Sequence, residues 1–374
     1  MSSDLTAEIN PTNKIAGARQ AGVVTVAQMS GFDEVIDVRS PAEFAEDHLP
    51  GAINCPVLND EERIRVGTLY KQVSPFEARK VGAALVARNI AEHLDQLFRQ
   101  KPKNWRPLIY CWRGGARSGS MTQIFRQIGW DACQLDGGYK SFRRFVAATL
   151  QTLPLQFDFH VICGPTGSGK SRLLEALAAQ GAQVLDLEQL AAHRGSVLGH
   201  LPKQAQPSQK MFETTLWTAL DKMAPSRPVF IEAESRKIGQ LRVPEAIAVR
   251  MSASRCINLE TNLAARVRLL TEDYGHFMES PLRLAEKLNY LVKLHGREKI
   301  SEWKTWALDG KWQRLITDLL VNHYDPAYAR STAKNYPRLS EALTVEAPDV
   351  DALHMESIAR ELLVTLNKER ALAT

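Results

Sequence analysis

The stretch that most constrains this chain is His160 to Ser171, His-Val-Ile-Cys-Gly-Pro-Thr-Gly-Ser-Gly-Lys-Ser. Within it Gly164, Gly169, Lys170 and Ser171 satisfy the G-x-x-x-x-G-K-[ST] spacing of a phosphate-binding loop. Glycines let the backbone turn tightly, so that the N–H groups of Thr166, Gly167 and Ser168 aim inward at phosphate oxygens. Lys170 adds a point charge and Ser171 a hydroxyl that reaches a metal ion. The flanks agree: the mainly apolar run from Phe157 to Cys163 reads as a strand. Ser171 to Gln180 reads as a helix stopped by Gly181. Four fixed positions would match by chance in roughly 1% of chains this long. A diphosphate or triphosphate ligand is expected.

A length of 374 residues predicts two to three domains, and the loop opens one of them near the middle. With 44% hydrophobic and 24% charged residues the composition is that of an ordinary globular protein. No apolar run approaches the ~18 residues of a membrane span, and Met1 to Asn10 is polar rather than signal-like. Cys55, Cys111, Cys133, Cys163 and Cys256 form no C-x-x-C pair, which argues against a disulfide framework and against zinc. A cytoplasmic protein with neither a membrane nor a disulfide-linked partner is expected. The net charge of +5 is modest, but from Arg106 to Arg144 seven Lys or Arg face only Asp131 and Asp136. Such a run suits a polyanion, and basic surface is equally the commonest source of plain solubility.

Residues 1 to about 15 read as a loosely held leader. Phe32-Asp-Glu-Val-Ile-Asp-Val-Arg-Ser is a strand whose carboxyl end carries Asp37 and Arg39, and a short helix, a Pro-Gly turn and a second strand follow. From Asp60 to Gln100 the spacing is helical, with Val86, Ile90, Leu94 and Leu97 on one face. Pro107-Leu-Ile-Tyr-Cys is a strand ending at Cys111, and the glycine-rich loop beyond it turns onto a helix running through Ile128. Ala132 to Leu135 and a helix from Tyr139 to Leu150 complete a small parallel α/β domain. Ligands bind at the carboxyl ends of such strands, where Cys111 sits. Loop N–H groups, a helix N-terminus and the charges of Arg113 and Arg117 would all lower its pKa and make it a nucleophile. The other four cysteines have no such surroundings and read as structural.

Asp37-Val-Arg-Ser, Glu43-Phe, His48-Leu-Pro-Gly-Ala-Ile-Asn and Cys111-x-x-Gly-x-Ala-Arg-Ser resemble the two signatures of a rhodanese domain. That resemblance implies a loop cysteine carrying a chalcogen as a persulfide-like group. Cys111 and Arg117 also satisfy the C-x5-R loop of cysteine phosphatases, but those enzymes do not need the His48 segment. Trp112 and Arg113 depart from an ordinary rhodanese loop, and their bulk argues against simple thiosulfate turnover.

Beyond the phosphate loop, Ala182 to Asp186 is a strand, and the polar residues Asp186, Glu188, His193 and Arg194 just past its end are site candidates, with a helix cap as the alternative for Asp186. The apolar strand from Pro228 runs straight into Glu232, Glu234, Arg236 and Lys237. Acidic residues at such a strand end occupy the Walker B position, where Glu232, with Ser171, would hold Mg²⁺; Glu232 and Glu234 touch metal or substrate, or neither. Arg236 and Lys237 meet a phosphate or a surface carboxylate. Cys256 to Glu260 is the next strand. From Asn262 the chain is mostly helical, and Tyr274, Tyr290, Trp303, Trp306 and Trp312 fall among basic residues; core packing is favoured over base stacking. Leu343 to Ala347 and Asp351 to Glu369 read as a strand and an amphipathic helix.

The expected architecture is α/β: a rhodanese-like parallel-sheet domain over residues 15–150, a P-loop NTPase-like α/β domain over 157–260, and a mainly helical C-terminal extension over 261–374, packed on the P-loop domain. Leu187-Glu-Gln-Leu-Ala-Ala-His-Arg-Gly-Ser, Gln206-Pro-Ser-Gln-Lys-Met-Phe-Glu and Ile231-Glu-Ala-Glu-Ser-Arg-Lys-Ile-Gly, with the two motifs, resemble the tRNA 2-selenouridine synthase family from about residue 15 to at least 330. The resemblance implies a transferase acting on 2-thiouridine at the wobble position of tRNA. It would use geranyl diphosphate for S-geranylation and selenophosphate for selenation through a Cys111 perselenide. No tightly bound cofactor is expected, and Mg²⁺ stays an open option from the acidic strand end rather than from the resemblance. Two other readings stay open: an ATP-dependent tRNA sulfurtransferase or kinase-like protein, and a non-catalytic tRNA-binding module.

Overall fold

Short apolar runs that stay buried on both faces build two separate parallel sheets. The computed structural model describes residues 22–196, 198–201 and 204–373, and the leader expected over residues 1 to about 15 lies outside them. The chain divides into two units, one ending at Phe142 and the other beginning at Arg143.

In the first unit the strands are β1 (Val23–Val24), β2 (Glu34–Asp37), β3 (Ile53–Asn54), β4 (Pro107–Tyr110) and β5 (Cys133–Leu135). They pair in parallel in the order β1-β5-β4-β2-β3, so β4 is central and all four of its residues are buried. The β1 pairing was not legible in the sequence, because two valines are too short to show a period. The helices are α1 (Pro41–Glu46), α2 (Asp60–Gln72), α3 (Pro75–His93), α4 (Ala116–Ile128) and α5 (Gly138–Thr149), the last carrying the chain into the second unit. Their starts obey local chemistry: Ser40 and Glu43 form a capping box ahead of Pro41, and the Asn59 and Ser74 side chains accept N–H bonds at α2 and α3. One expectation needs correcting. Leu97 does not follow Ile90 into the core; it is 51% exposed, and Phe98 is buried instead. The chain widens to a π-helical turn over Leu94–Phe98, and the extra residue in that turn moves the buried face on by one position.

In the second unit the strands are β6 (Phe159–Cys163), β7 (Gln183–Leu185), β8 (Val229–Glu232), β9 (Lys237–Ile238), β10 (Leu241–Arg242), β11 (Arg255–Thr261) and β12 (Leu343–Ala347). The parallel sheet runs β12-β11-β6-β8-β7, while β9 and β10 form a separate antiparallel hairpin. The helices are α6 (Lys170–Ala179), α7 (Leu187–Leu190), α8 (Gln209–Asp221), α9 (Glu245–Ala253), α10 (Leu263–Asp273), α11 (Gly275–Glu279), α12 (Pro281–Leu288), α13 (Val292–Leu308), α14 (Trp312–Leu319), α15 (Asp325–Asn335) and α16 (Ala352–Ala373). Because β12 adds to β11, and Met355, Ala359 and Leu362 of α16 pack with Ile162, Leu173 and Phe230, the C-terminus completes the P-loop sheet and its core. Residues 262–342 are therefore a mainly helical insertion between two adjacent strands. Its own core is built on Trp303 and Trp306, with Trp312 and Tyr274 packed against it, so these aromatics serve packing as expected. Tyr290 departs from them and is 73% exposed.

Candidate active site

The first centre is built around Cys111, just past the carboxyl end of β4. Its thiol is 3% exposed, and burial alone would push its pKa up. Opposing this, the Ser118 hydroxyl donates to Sγ at 3.1 Å and the Gly115 N–H donates at 3.3 Å. These bonds, with the backbone groups of Ser118 and Arg113, hold the thiol below its ordinary value. A hydrogen bond to a charged acceptor contributes about 1.5–3 kcal/mol, and together these bonds outweigh the cost of burial. The loop can close this way only with glycine at Gly138: its φ is +55°, and a Cβ there would lie 2.3 Å from the Cys111 carbonyl oxygen.

The expected activating arginines do otherwise. Arg117 is paired with Glu43 at 2.8 Å, and Arg113 is exposed, so sulfur activation falls to the hydroxyl and the backbone rather than to either guanidinium. Asp37 and Arg39 are buried inside the unit. The Arg39 guanidinium donates to both Asp37 carboxylate oxygens and to the Asp47 carbonyl, and lies 4.0 Å from the Tyr139 ring. They tie β2 to the chain leading into β3 and are buried, so they hold the scaffold. Trp112 packs on the Tyr139 ring at 5.3 Å, beside the cysteine.

The second centre is the phosphate loop between β6 and α6. Gly164, Gly167 and Gly169 have φ of +157°, +79° and +88°, and a Cβ on Gly169 would lie 2.8 Å from Met355 Cε. The loop is braced from several sides. The Gly164 N–H donates to the Tyr328 hydroxyl at 2.6 Å, Arg266 donates to the Thr166 carbonyl at 2.9 Å, and Thr261 donates to the Ser168 carbonyl at 2.9 Å. Lys170 Nζ donates to the Gly164 carbonyl at 2.8 Å, curling over the cradle where phosphate oxygens would replace that acceptor. Ser168 Oγ is buried without a protein partner.

Carboxylates crowd the same cradle. Ser171 Oγ donates to Glu188 at 3.4 Å, and the Glu188 N–H donates to Glu232 Oε1 at 2.7 Å. Gly195 passes so close that a Cβ would meet Glu234 at 2.6 Å and Glu188 at 2.7 Å. Burial, then the charge of Glu234, lifts Glu188 to about 8. Burial likewise raises Glu232 well above the usual carboxylate range, with Asp186 and Glu188 adding to it, and it raises Glu234 and Asp186. Asp186 also caps α7 through Gln189 N–H at 2.7 Å. Glu232 Oε2 is buried with no partner. A hard dication matches this set, since it would relieve the carboxylate repulsion and satisfy the orphaned oxygen. Among the described residues no three of these groups form a finished metal site, so such an ion would complete its shell with water and ligand oxygens. The carboxylate that hydrogen-bonds the Ser171 hydroxyl is Glu188, and the Glu188 N–H in turn meets Glu232, so Glu188 joins Ser171 and Glu232 as a candidate.

The rhodanese-like domain family matches residues 23–145, and the family described as the tRNA 2-selenouridine synthase AAA domain matches residues 157–290. Proteins named tRNA 2-selenouridine synthase are similar to the chain over most of its length. That of Nitrosomonas europaea is 38% identical, spanning 69% of this chain and 67% of the relative. Those of Marinobacter nauticus and Shewanella halifaxensis are each 33% identical, spanning 79% and 82% of this chain and 87% and 90% of the relatives. The chain belongs to the tRNA 2-selenouridine synthase family.

Within this synthase the remaining candidates make contacts of their own. Arg236 forks onto exposed Glu245 at 2.9 Å, and Lys237 is exposed on β9. His193 is buried against the His200 ring, and burial with that neighbour lowers it to about 4, so it is neutral at ordinary pH. Arg194 donates to the Asp273 carbonyl at 2.8 Å and lies 5.1 Å from the Tyr274 ring. Three supports of the loop were missed in the sequence: Tyr328, Arg266 and Thr261. They sit 93 to 164 residues from their partners in the chain, and no local pattern marks them. Ser118 was also missed, although it closes the Cys111 signature itself.

Proposed function

We propose that this synthase converts wobble 2-thiouridine in tRNA to 2-selenouridine in two steps, geranylation and then selenation. The observation that carries the reading is the Cys111 sulfur, buried yet held toward the thiolate by Ser118 and Gly115. In the first step the base sulfur attacks C1 of geranyl diphosphate. The S–C bond forms as the C–O bond breaks, diphosphate leaves with the electron pair, and the base loses its N3 proton. The phosphate loop and Lys170 stabilise the charge developing on diphosphate, where binding lowers the barrier. A Mg²⁺ ion, for which Ser171 with Glu188 or Glu232 would supply donors and water the rest, would add positive charge beside it.

In the second step water releases selenide from selenophosphate as phosphate forms; the selenide attacks Cys111 Sγ, held in a disulfide with a small thiol, that thiol leaves, and the perselenide so formed attacks C2 of the base. Geranylthiolate leaves with its electron pair, an easier departure than that of a thiocarbonyl sulfur. A second thiol then cleaves the Sγ–Se bond, leaving selenium on the base and Cys111 in a disulfide with that thiol. Nucleoside mass spectrometry tests the assignment. Cys111→Ser accumulates S-geranyl-2-thiouridine without 2-selenouridine, whereas Lys170→Ala leaves 2-thiouridine unmodified. If Cys111→Ser still yields 2-selenouridine, selenium reaches the base without the cysteine; if ATP hydrolysis and no prenyl transfer tracks with Lys170, the protein is a nucleotide-dependent sulfurtransferase or kinase.

A further inference from the structure

A cavity opens beside the phosphate loop, inside the helical insertion between β11 and β12. Thr166 of the loop lines it, together with Leu270, Phe277, Leu284, Leu315, Ile316 and Leu319 from α10, α11, α12 and α14. Leu270 also abuts the loop, since a Cβ on Gly167 would meet its Cγ at 3.0 Å. The cavity therefore lies against the loop itself. The chemistry of the walls says what it would hold. Apart from the hydroxyls of Thr166, Tyr274 and Tyr324 and the indole N–H of Trp312, they are aliphatic, thioether and aromatic. A ribose and a purine would lose their water here without gaining the hydrogen bonds that repay it, whereas a hydrocarbon gains from every carbon removed from water.

We propose that this cavity binds the branched hydrocarbon tail of a prenyl diphosphate, so that the insertion, rather than the sheet, selects the donor. The inference rests on the geranyl-transfer reading above and assigns residues to it. Ile316 is the informative position, because it lines the cavity yet is only half-buried, so the fold tolerates changes there.

The test is calorimetric titration of the full-length protein without tRNA, using inorganic diphosphate, dimethylallyl diphosphate, geranyl diphosphate and ATP. Affinity rises along the first three, with geranyl diphosphate at least roughly 100-fold tighter than inorganic diphosphate for a tail that leaves water. Ile316→Trp narrows the cavity and removes that gain while inorganic diphosphate binds within about twofold of the parent. Where Ile316→Trp does not fold, Ile316→Asn sets an amide against the tail and gives the same pattern. Geranyl diphosphate binding no tighter than inorganic diphosphate overturns the inference, and so does ATP binding tighter than either with no response to Ile316. Separate assay of S-geranyl-2-thiouridine keeps the two ideas apart. Ile316-dependent binding without tRNA modification retains the tail site and sinks the transferase reading. Unchanged tRNA geranylation in Ile316→Trp at the parental KM for geranyl diphosphate does the reverse.

Discussion

The Cys111 thiol is held below its ordinary pKa because the Ser118 hydroxyl and the loop backbone outweigh its burial. Removing the hydroxyl tests that balance. Ser118→Ala deletes the 3.1 Å bond to Sγ and leaves the Gly115 bond, so the thiol titrates at higher pH. Alkylation of Cys111 at pH 7, followed by peptide mass spectrometry, slows by about tenfold, the worth of one charge-assisted hydrogen bond. An unchanged rate would mean that the backbone alone holds the thiolate. Cys55 is the control: burial, then the charges of Glu34 and Asp37, pushes it up to about 12, and it stays unreactive. At this scale the sequence was partly misleading. Arg113 and Arg117 looked like the activating charges because they flank the cysteine along the chain. The fold sends one to solvent and the other to Glu43, a partner 74 residues away.

Among elements, the strand ends of β7 and β8 bring together Asp186, Glu188, Glu232 and Glu234, all with raised pKa values. Their sign is settled by linkage. Glu188 has a raised folded-state pKa, so the folded protein holds a proton that the unfolded chain releases near 4.5. Stability is then lost as pH rises from about 4.5 toward about 8. In metal-free buffer Glu188→Gln abolishes that loss at this position. Its melting temperature relative to the parent therefore rises between pH 5 and pH 8, by several degrees at the upper end. A constant difference across this range would show that Glu188 is ionised throughout. That acidic residues end β8 was legible, because an apolar run meeting Glu232 is a local pattern. That Glu188, on the element after β7, would sit nearest Ser171 was not, since it depends on where β7 pairs against β8.

For the whole molecule, the basic run from Arg106 to Arg144 is weaker than its residue count suggests. Arg106, Arg117 and Arg143 are paired with Asp131, Glu43 and Glu213, while Arg113, Lys140 and Arg144 are exposed. Binding of tRNA still carries a counterion-release slope of about −0.7 to −0.9 per phosphate contact, and Arg113→Gln lowers the slope by about one contact. Affinity independent of salt between roughly 50 and 200 mM would mean that phosphates are not what the protein holds. What the sequence by itself determined are the features written in consecutive residues: the phosphate loop, the cysteine loop, the caps that start helices, and the alternation of strands and helices. Each depends on backbone conformations and side chains within a few positions. Only the tertiary structure decided which distant groups complete them: β12 returning to β11 across an 81-residue insertion, Tyr328 and Arg266 bracing the loop, and an apolar cavity opening beside Thr166. These choices are made by burial and by the demand that buried polar groups find partners, and neither depends on nearness along the chain.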